Sequence, residues 1–389
     1  MSHAAIRPMA PRDPHEPHRA ATPLELLFDL VTVIAIAAAA ASLHHGIAAD
    51  HAGEGVVRYL FTFFAIWWAW MNFTWFASAY DNDDAPTRLL TMVIMGGALL
   101  IAAGTERFAA HLDISLVMGG YAVMRVAMIV LWLRAAWHDP ERRPCALRYA
   151  GGIAIAQTYW IGLYILGDPQ SSAFVALILL GWLIELAVPA IAERAGMTPW
   201  HVHHIVERYG LLTIIVLGEV LLAAALALEK AWDGSFDVRL VHTALSALVI
   251  TFAMWWLYFA REPQLSVHKL SRALQWGYGH LIVFASGAAV GAGFAVLVEI
   301  LTGHSKIGIR AGDLAVAVPL GIYFLSLWLV RDRFVLHGAA RWVLPVFAVA
   351  IIALPFAFPA LEAIAALAVA AVAIRATFAA RTISAAAPA

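Results

Sequence analysis

The stretch Thr22-Pro-Leu-Glu-Leu-Leu-Phe-Asp-Leu-Val-Thr-Val-Ile-Ala-Ile-Ala37 decides the fold class of this chain. It opens an apolar run over 24–43, and about 20 mostly apolar residues suffice to cross a bilayer as a helix. Inside that run sit two carboxylates, Glu25 and Asp29, spaced i,i+4 and so on one helical face. A charged group in hydrocarbon costs at least about 2.5 kcal/mol, so a chain that keeps two of them puts them to use. Thr22 is placed to cap the helix, Pro23 occupies its first turn without wasting a donor, and Glu25 reaches back to the cap. That role accounts for Glu25 alone. Asp29 lies deeper and needs a hydrogen-bond donor, a cation or a proton.

Outward from this run, further apolar segments fall at 57–80, 88–105, 114–136, 147–166, 172–192, 203–228, 240–260, 273–300, 313–330, 341–358 and 360–381. The composition agrees: of 389 residues 62% are hydrophobic and only 13% charged, against about 25% charged in soluble domains. The expectation is an all-α polytopic membrane protein with about twelve transmembrane helices. Residues 1–21, rich in Pro, His and Arg and without apolar periodicity, read as a disordered cytoplasmic tail. A cleaved signal peptide does not fit, because the run is too long for a signal core, holds two carboxylates and is followed by many more spans. The single cysteine, Cys145, excludes an internal disulfide framework and a multi-Cys metal site, and its basic neighbours Arg142, Arg143 and Arg148 place it in a loop.

With twelve spans, eighteen basic residues fall in the amino tail, the even-numbered connections and the carboxyl end, and six in the odd-numbered connections. This asymmetry puts both termini in the cytoplasm. The halves 22–192 and 193–389 also echo each other. Offsets of 184 to 190 positions set Asp29 against Glu219, Trp67-Trp68 near Trp255-Trp256 and Arg88 against Arg272. Two six-helix halves would be parallel repeats about an axis along the membrane normal, with a site where they meet.

The second half opens with Trp200-His-Val-His-His-Ile-Val-Glu-Arg-Tyr-Gly-Leu-Leu-Thr-Ile-Ile-Val-Leu-Gly-Glu219. His201, His204 and Glu207, spaced by three, form a weak candidate metal triplet. Arg208 adds a charge, and Glu219 is a second mid-span carboxylate beside Gly218, which allows close helix approach. The turn Tyr80-Asp-Asn-Asp-Asp-Ala-Pro-Thr-Arg88 gathers Asp81, Asp83 and Asp84 without the spacing or glycine of a calcium loop, so Asp83 or Asp84 pairing with Arg88 is expected. The aromatic run Trp67, Trp68, Trp70, Phe73, Trp75 and Phe76 reads as lipid-facing and packing surface. Arg125, Glu185, His280 and Glu299 are further polar residues within spans that should face the bundle interior. No Gly-rich phosphate loop, Gly-x-Ser-x-Gly elbow or His-Glu-x-x-His pair occurs, which lowers ATP-driven pumping and the common hydrolases.

Pro23-Leu-Glu-Leu-Leu-Phe-Asp-Leu-Val, Tyr80-Asp-Asn-Asp-Asp with Arg88, and His204-x-x-Glu-Arg-Tyr-Gly-Leu-Leu-Thr-Ile-Ile-Val-Leu-Gly-Glu together resemble the bacterial low temperature requirement protein A family. The resemblance implies an integral membrane protein of undefined biochemistry and supplies neither substrate nor catalytic residue. In that family Leu-Gly-Glu is commonly followed by Ser; here Val220 stands there. A lesser likeness, Phe28-Asp29 in a first helix with a six-plus-six layout, is similar to organelle potassium and proton channels that carry Phe-Ser-Asp in the first helix of each repeat, without the intervening Ser. The leading expectation is a secondary transporter or permease whose site includes Asp29 and Glu219, supported by Glu25, Glu207 and Arg208. Alternatives are a cation or proton channel, a lipid-modifying enzyme using Asp81, Asp83, Asp84 and His204, and a scaffold whose charges only lock helices. The expected partners are the lipid bilayer and a small solute or ion, with no nucleic acid and no cofactor.

Overall fold

The computed structural model describes residues 6–14, 16, 19–80, 82–168, 171–232, 236–260, 270–359 and 361–386. The helices are α1 Pro23–Ala48, α2 Ala52–Ala79, α3 Ala85–His111, α4 Ser115–His138, α5 Arg143–Leu166, α6 Phe174–Glu193, α7 Val202–Ala231, α8 Val238–Phe259, α9 Leu270–Leu301, α10 Ile309–Leu327, the short α11 Arg333–Val335, α12 Val343–Ala357 and α13 Leu361–Ala386. A π-helical turn, Trp328–Asp332, joins α10 to α11. Among the described residues there is no strand, and ten helical segments are long and apolar enough to cross a membrane. This is the all-helical polytopic architecture that the apolar runs predict. In hydrocarbon every backbone donor must be met within its own segment, and helices do that.

The chain divides into two compact units, one of Met1–Ala35 and Ala65–Arg208, the other of Ile36–Phe64 and Tyr209–Ala389. In the first unit α3 packs on α4, α4 on α5 and α5 on α6. The α3–α4 contact is backbone to backbone: a Cβ at Gly97 would lie 2.6 Å from the Gly120 carbonyl oxygen, so only glycine admits this approach. Trp132 of α4 stacks on Tyr149 of α5 at 4.1 Å between ring centroids. In the second unit α9 packs on α10, α10 on α12 and α8 on α13. Gly287 and Gly291 give α9 a smooth face against Val216 and Glu219 of α7.

Three local expectations are corrected. Residues 6–14, 16 and 19–21 are not a loose tail: the Arg7 amide donates to Asp84 at 2.9 Å, Arg12 N donates to Ala79 O at 3.0 Å, and Met9 is fully buried. The reason is that helix α2 ends on carbonyls lacking intrahelical partners, and Arg19 supplies them, Nη1 to Ser78 O at 2.5 Å and Nη2 to Ala77 O at 2.8 Å. Trp67, Trp68 and Trp70 face protein rather than lipid: all three are fully buried, and the indole N–H groups of Trp68 and Trp70 serve the buried carboxylates Glu185 and Asp29. Cys145 lies in the first turn of α5 and is buried, not in a loop.

Candidate functional site

Helix α1 starts as its sequence dictates. Thr22 N donates to Glu25 Oε2 at 2.8 Å and Glu25 N donates to Thr22 Oγ1 at 3.3 Å, a reciprocal capping box. This uses one oxygen of Glu25. The other, Oε1, lies 3.0 Å from His204 Nε2, 2.9 Å from Arg208 Nη1 and 3.9 Å from Arg19 Nη2. One turn further along α1, Asp29 is wholly buried and accepts from Trp70 Nε1 at 2.7 Å, Arg208 Nε at 3.1 Å and Arg208 Nη2 at 2.5 Å. The i,i+4 pair Glu25 and Asp29 on α1 thus meets the i,i+4 pair His204 and Arg208 on α7. Two carboxylates and two guanidiniums balance, as a buried charge cluster must.

The satisfaction of this cluster is uneven. Asp29 holds three aligned donors, whereas Glu25 Oε1, both ring nitrogens of His204 and Arg208 Nη1 are buried without an aligned hydrogen bond. His201, one turn before His204, is tied elsewhere: its amide donates to Ser78 Oγ at 2.9 Å, and its Nε2 lies 2.8 Å from Glu16 O. Glu207 is exposed, so the His201, His204 and Glu207 spacing divides between a buried and an exposed face of α7. These three are not among the groups whose ligand atoms converge.

Glu219 lies on α7 within the second unit and is half-buried. Its backbone and Cβ pack against Gly291 of α9, where an added Cβ would come within 3.2 Å of Glu219 Cβ. Close approach at this level is therefore made by Gly291; nothing lies within 4 Å of a Cβ built on Gly218, the glycine that the sequence singles out. Within its unit, Glu219 has no hydrogen-bond or ion-pair partner among the described residues.

The acidic turn is structural in its described part. Arg88 grips Asp83 through Nε at 2.6 Å and Nη2 at 2.8 Å. Asp84 caps α3 by accepting from Thr87 N at 3.1 Å, and it takes both Arg134 guanidinium nitrogens. Burial would raise the Asp84 carboxyl, but the hydrogen bonds from Arg134, the Arg7 amide and Thr87 outweigh it and hold the group well below the usual carboxylate range. Asp81 lies outside the described residues.

Two further buried networks accompany the cluster. Arg125 and Glu185, read from sequence as interior, pair directly with both side chains almost wholly buried. Glu185 also accepts from Trp68 at 2.9 Å, Tyr121 at 2.8 Å and Trp160 at 3.2 Å, so one carboxylate joins α2, α4, α5 and α6. In the second unit Asp332, on the π-helical turn, accepts from Arg331 at 2.7 Å and from Arg375 at 2.7 and 2.8 Å. Sequence reasoning missed this triad, although Arg375, a charge within the last apolar run, was a usable signal.

A family model described as bacterial low temperature requirement A protein (LtrA) matches residues 20–376. The chain belongs to the LtrA family. The match takes in every helix that builds the charge cluster, and the motifs Pro23 to Val31 and His204 to Glu219 lie within it. A curated relative of this LtrA-family chain, an uncharacterized protein of Rhizobium meliloti (strain 1021), is 26% identical over 275 residues. That alignment covers 66% of this chain and 64% of the relative, so the chain spans a little under two thirds of that protein's length. No solved structure matches the LtrA-family chain.

Proposed function

We propose that this LtrA-family protein is a secondary transporter or permease of the bacterial cytoplasmic membrane, with both termini cytoplasmic, that moves a small solute or cation in exchange for protons. The observation that carries the reading is Glu219, a carboxylate midway along an apolar helix, half-buried and without a protein partner in its unit. A partnerless carboxylate at that depth is expensive unless it takes a proton or a cation, and such groups are the usual proton carriers of transporters. Asp29 has the opposite character. With three donors aligned on it, it cannot exchange a proton without breaking the Arg208 pair. We therefore assign proton exchange to Glu219, and to Asp29 and Arg208 the fixing of α1 to the start of α7. The two six-helix repeats belong to the same proposal, as the source of one buried carboxylate per half.

The test uses purified full-length protein in liposomes loaded with a pH-sensitive dye, challenged with sodium, potassium or lithium outside and with an imposed potential. Wild type is expected to move protons above the level of empty liposomes, Glu219→Gln to lose that flux, and Glu207→Gln, an exposed change on the same helix, to keep it. Wild-type flux equal to empty liposomes under every gradient, or full flux in Glu219→Gln, would refute the assignment. The saturation of Asp29 favours a second reading, a scaffold whose charges only lock helices. That reading expects Asp29→Asn to lower thermal stability and no variant to alter a flux.

A further inference from the structure

We infer that His44, His45 and Glu299 form a binding site for a divalent transition-metal ion of the zinc class. Among the described residues they are the group whose ligand atoms gather, all within 4.8 Å of one another. All three belong to the second unit, His44 and His45 near the end of α1 and Glu299 in the last turn of α9. His44 Nε2 lies 2.8 Å and His45 Nδ1 3.8 Å from Glu299 Oε1. Tetrahedral zinc with bonds of about 2.0 to 2.1 Å places its ligand atoms about 3.3 Å apart. The two observed separations bracket that value.

The side-chain geometry also suits a shared ion. Adjacent helical residues point about 100° apart and do not normally serve one point. Here one imidazole offers its far nitrogen and the other its near nitrogen, with ring centroids 4.5 Å apart, which compensates for the angular offset. His44 Nε2 is buried and, although 2.8 Å from a carboxylate oxygen, is not aligned with it as a hydrogen-bond donor.

The backbone around the site is fastened. His304 N donates to Glu299 O at 2.9 Å, and Lys306 N and Ser305 Oγ both donate to Ala48 O, at 2.9 and 3.1 Å. The connection after α9 is thereby tied to the end of α1, which fixes the carboxylate relative to the histidines. The site is also reachable, since the His45 side chain is 69% exposed and that of Glu299 27%. Two imidazoles and one carboxylate select zinc, cobalt, nickel or copper over calcium and magnesium, which prefer all-oxygen shells. Three protein ligands leave a fourth position for water or a ligand.

The experiment is a titration of the full-length protein, purified without a histidine tag and treated with chelator, first with cobalt read by its visible absorption and then with zinc by calorimetry. Wild type should bind one zinc ion per chain and release cobalt to it. Glu299→Gln and His45→Ala should each weaken zinc binding at least about 10-fold, a scale that even outer-shell contacts reach. His242→Ala, which removes an exposed histidine 3.2 Å from Glu362, should leave the affinity unchanged. His45 is exposed enough that its removal should not impair folding, so it decides the matter if Glu299→Gln is poorly expressed. Wild-type binding no tighter than that of a His44→Ala, His45→Ala double variant, or unchanged affinity in His45→Ala, would overturn the site.

Discussion

Arg208 turns two of its nitrogens on the same carboxylate, Nε to Asp29 Oδ2 at 3.1 Å and Nη2 to Asp29 Oδ1 at 2.5 Å, while its third faces Glu25 at 2.9 Å. Both side chains are wholly buried. Removing one partner of a buried pair leaves an uncompensated charge and costs about 3 to 5 kcal/mol. Asp29→Asn should therefore lower the thermal unfolding temperature in detergent far more than Glu219→Gln. Equal stability of the two variants would contradict the division of roles between these acids.

Glu185 should matter more than its arginine. Arg125→Leu breaks one pair, whereas Glu185→Leu also strips the acceptor from Trp68, Tyr121 and Trp160. Each buried donor left unmet costs about 1 to 3 kcal/mol. Thermal unfolding should rank Glu185→Leu below Arg125→Leu, and the double variant should lose less than the two single losses together. The reverse order would count against the network.

The α3–α4 contact makes a steric prediction. A Cβ at Gly97 meets the Gly120 carbonyl oxygen at 2.6 Å, and backbone cannot step aside as a flexible side chain can. Gly97→Ala should cost about 1 to 3 kcal/mol, the usual range for overpacking. Gly119→Ala, with nothing within 4 Å, should be neutral on the same melting assay.

Docking of the amino-terminal segment should depend on acid in a particular window. Asp84 binds the Arg7 amide at 2.9 Å and the Arg134 guanidinium, and these bonds hold its carboxyl below the ordinary aspartate value of about 3.9. A group depressed on folding contributes its stability above the unfolded value and loses it as pH falls through the folded one. The mobility of a spin label at Ala10, an exposed position of the segment, should thus be constant from neutral pH down to about 4 and rise only below. Release of the segment near pH 6 would contradict the role of Asp84.

The helices were legible because their signal is local: an apolar run of membrane length forms a helix whatever it packs against. The capping box at Thr22 and Glu25 was legible for the same reason. The partner of Asp29 was legible only as a type, a hydrogen-bond donor, a cation or a proton. That both Trp70 and Arg208 serve it depends on contacts 41 and 179 residues apart in sequence. The docking of the amino-terminal segment, Arg7 on Asp84 and Arg12 and Arg19 on the last carbonyls of α2, has no periodic signature, since it rests on single backbone and side-chain hydrogen bonds. Glu299 stood out as a charge in a span, but His44 and His45 become its neighbours only through the fold.

The central claim is that Glu219 exchanges a proton while Asp29 stays locked to Arg208. Infrared difference spectra of the reconstituted protein, taken between two pH values, read protonated carboxyl groups directly through their carbonyl stretch. The account predicts a pH-dependent carboxyl band in wild type that is absent in Glu219→Gln and retained in Glu207→Gln. A band unchanged in Glu219→Gln would contradict it.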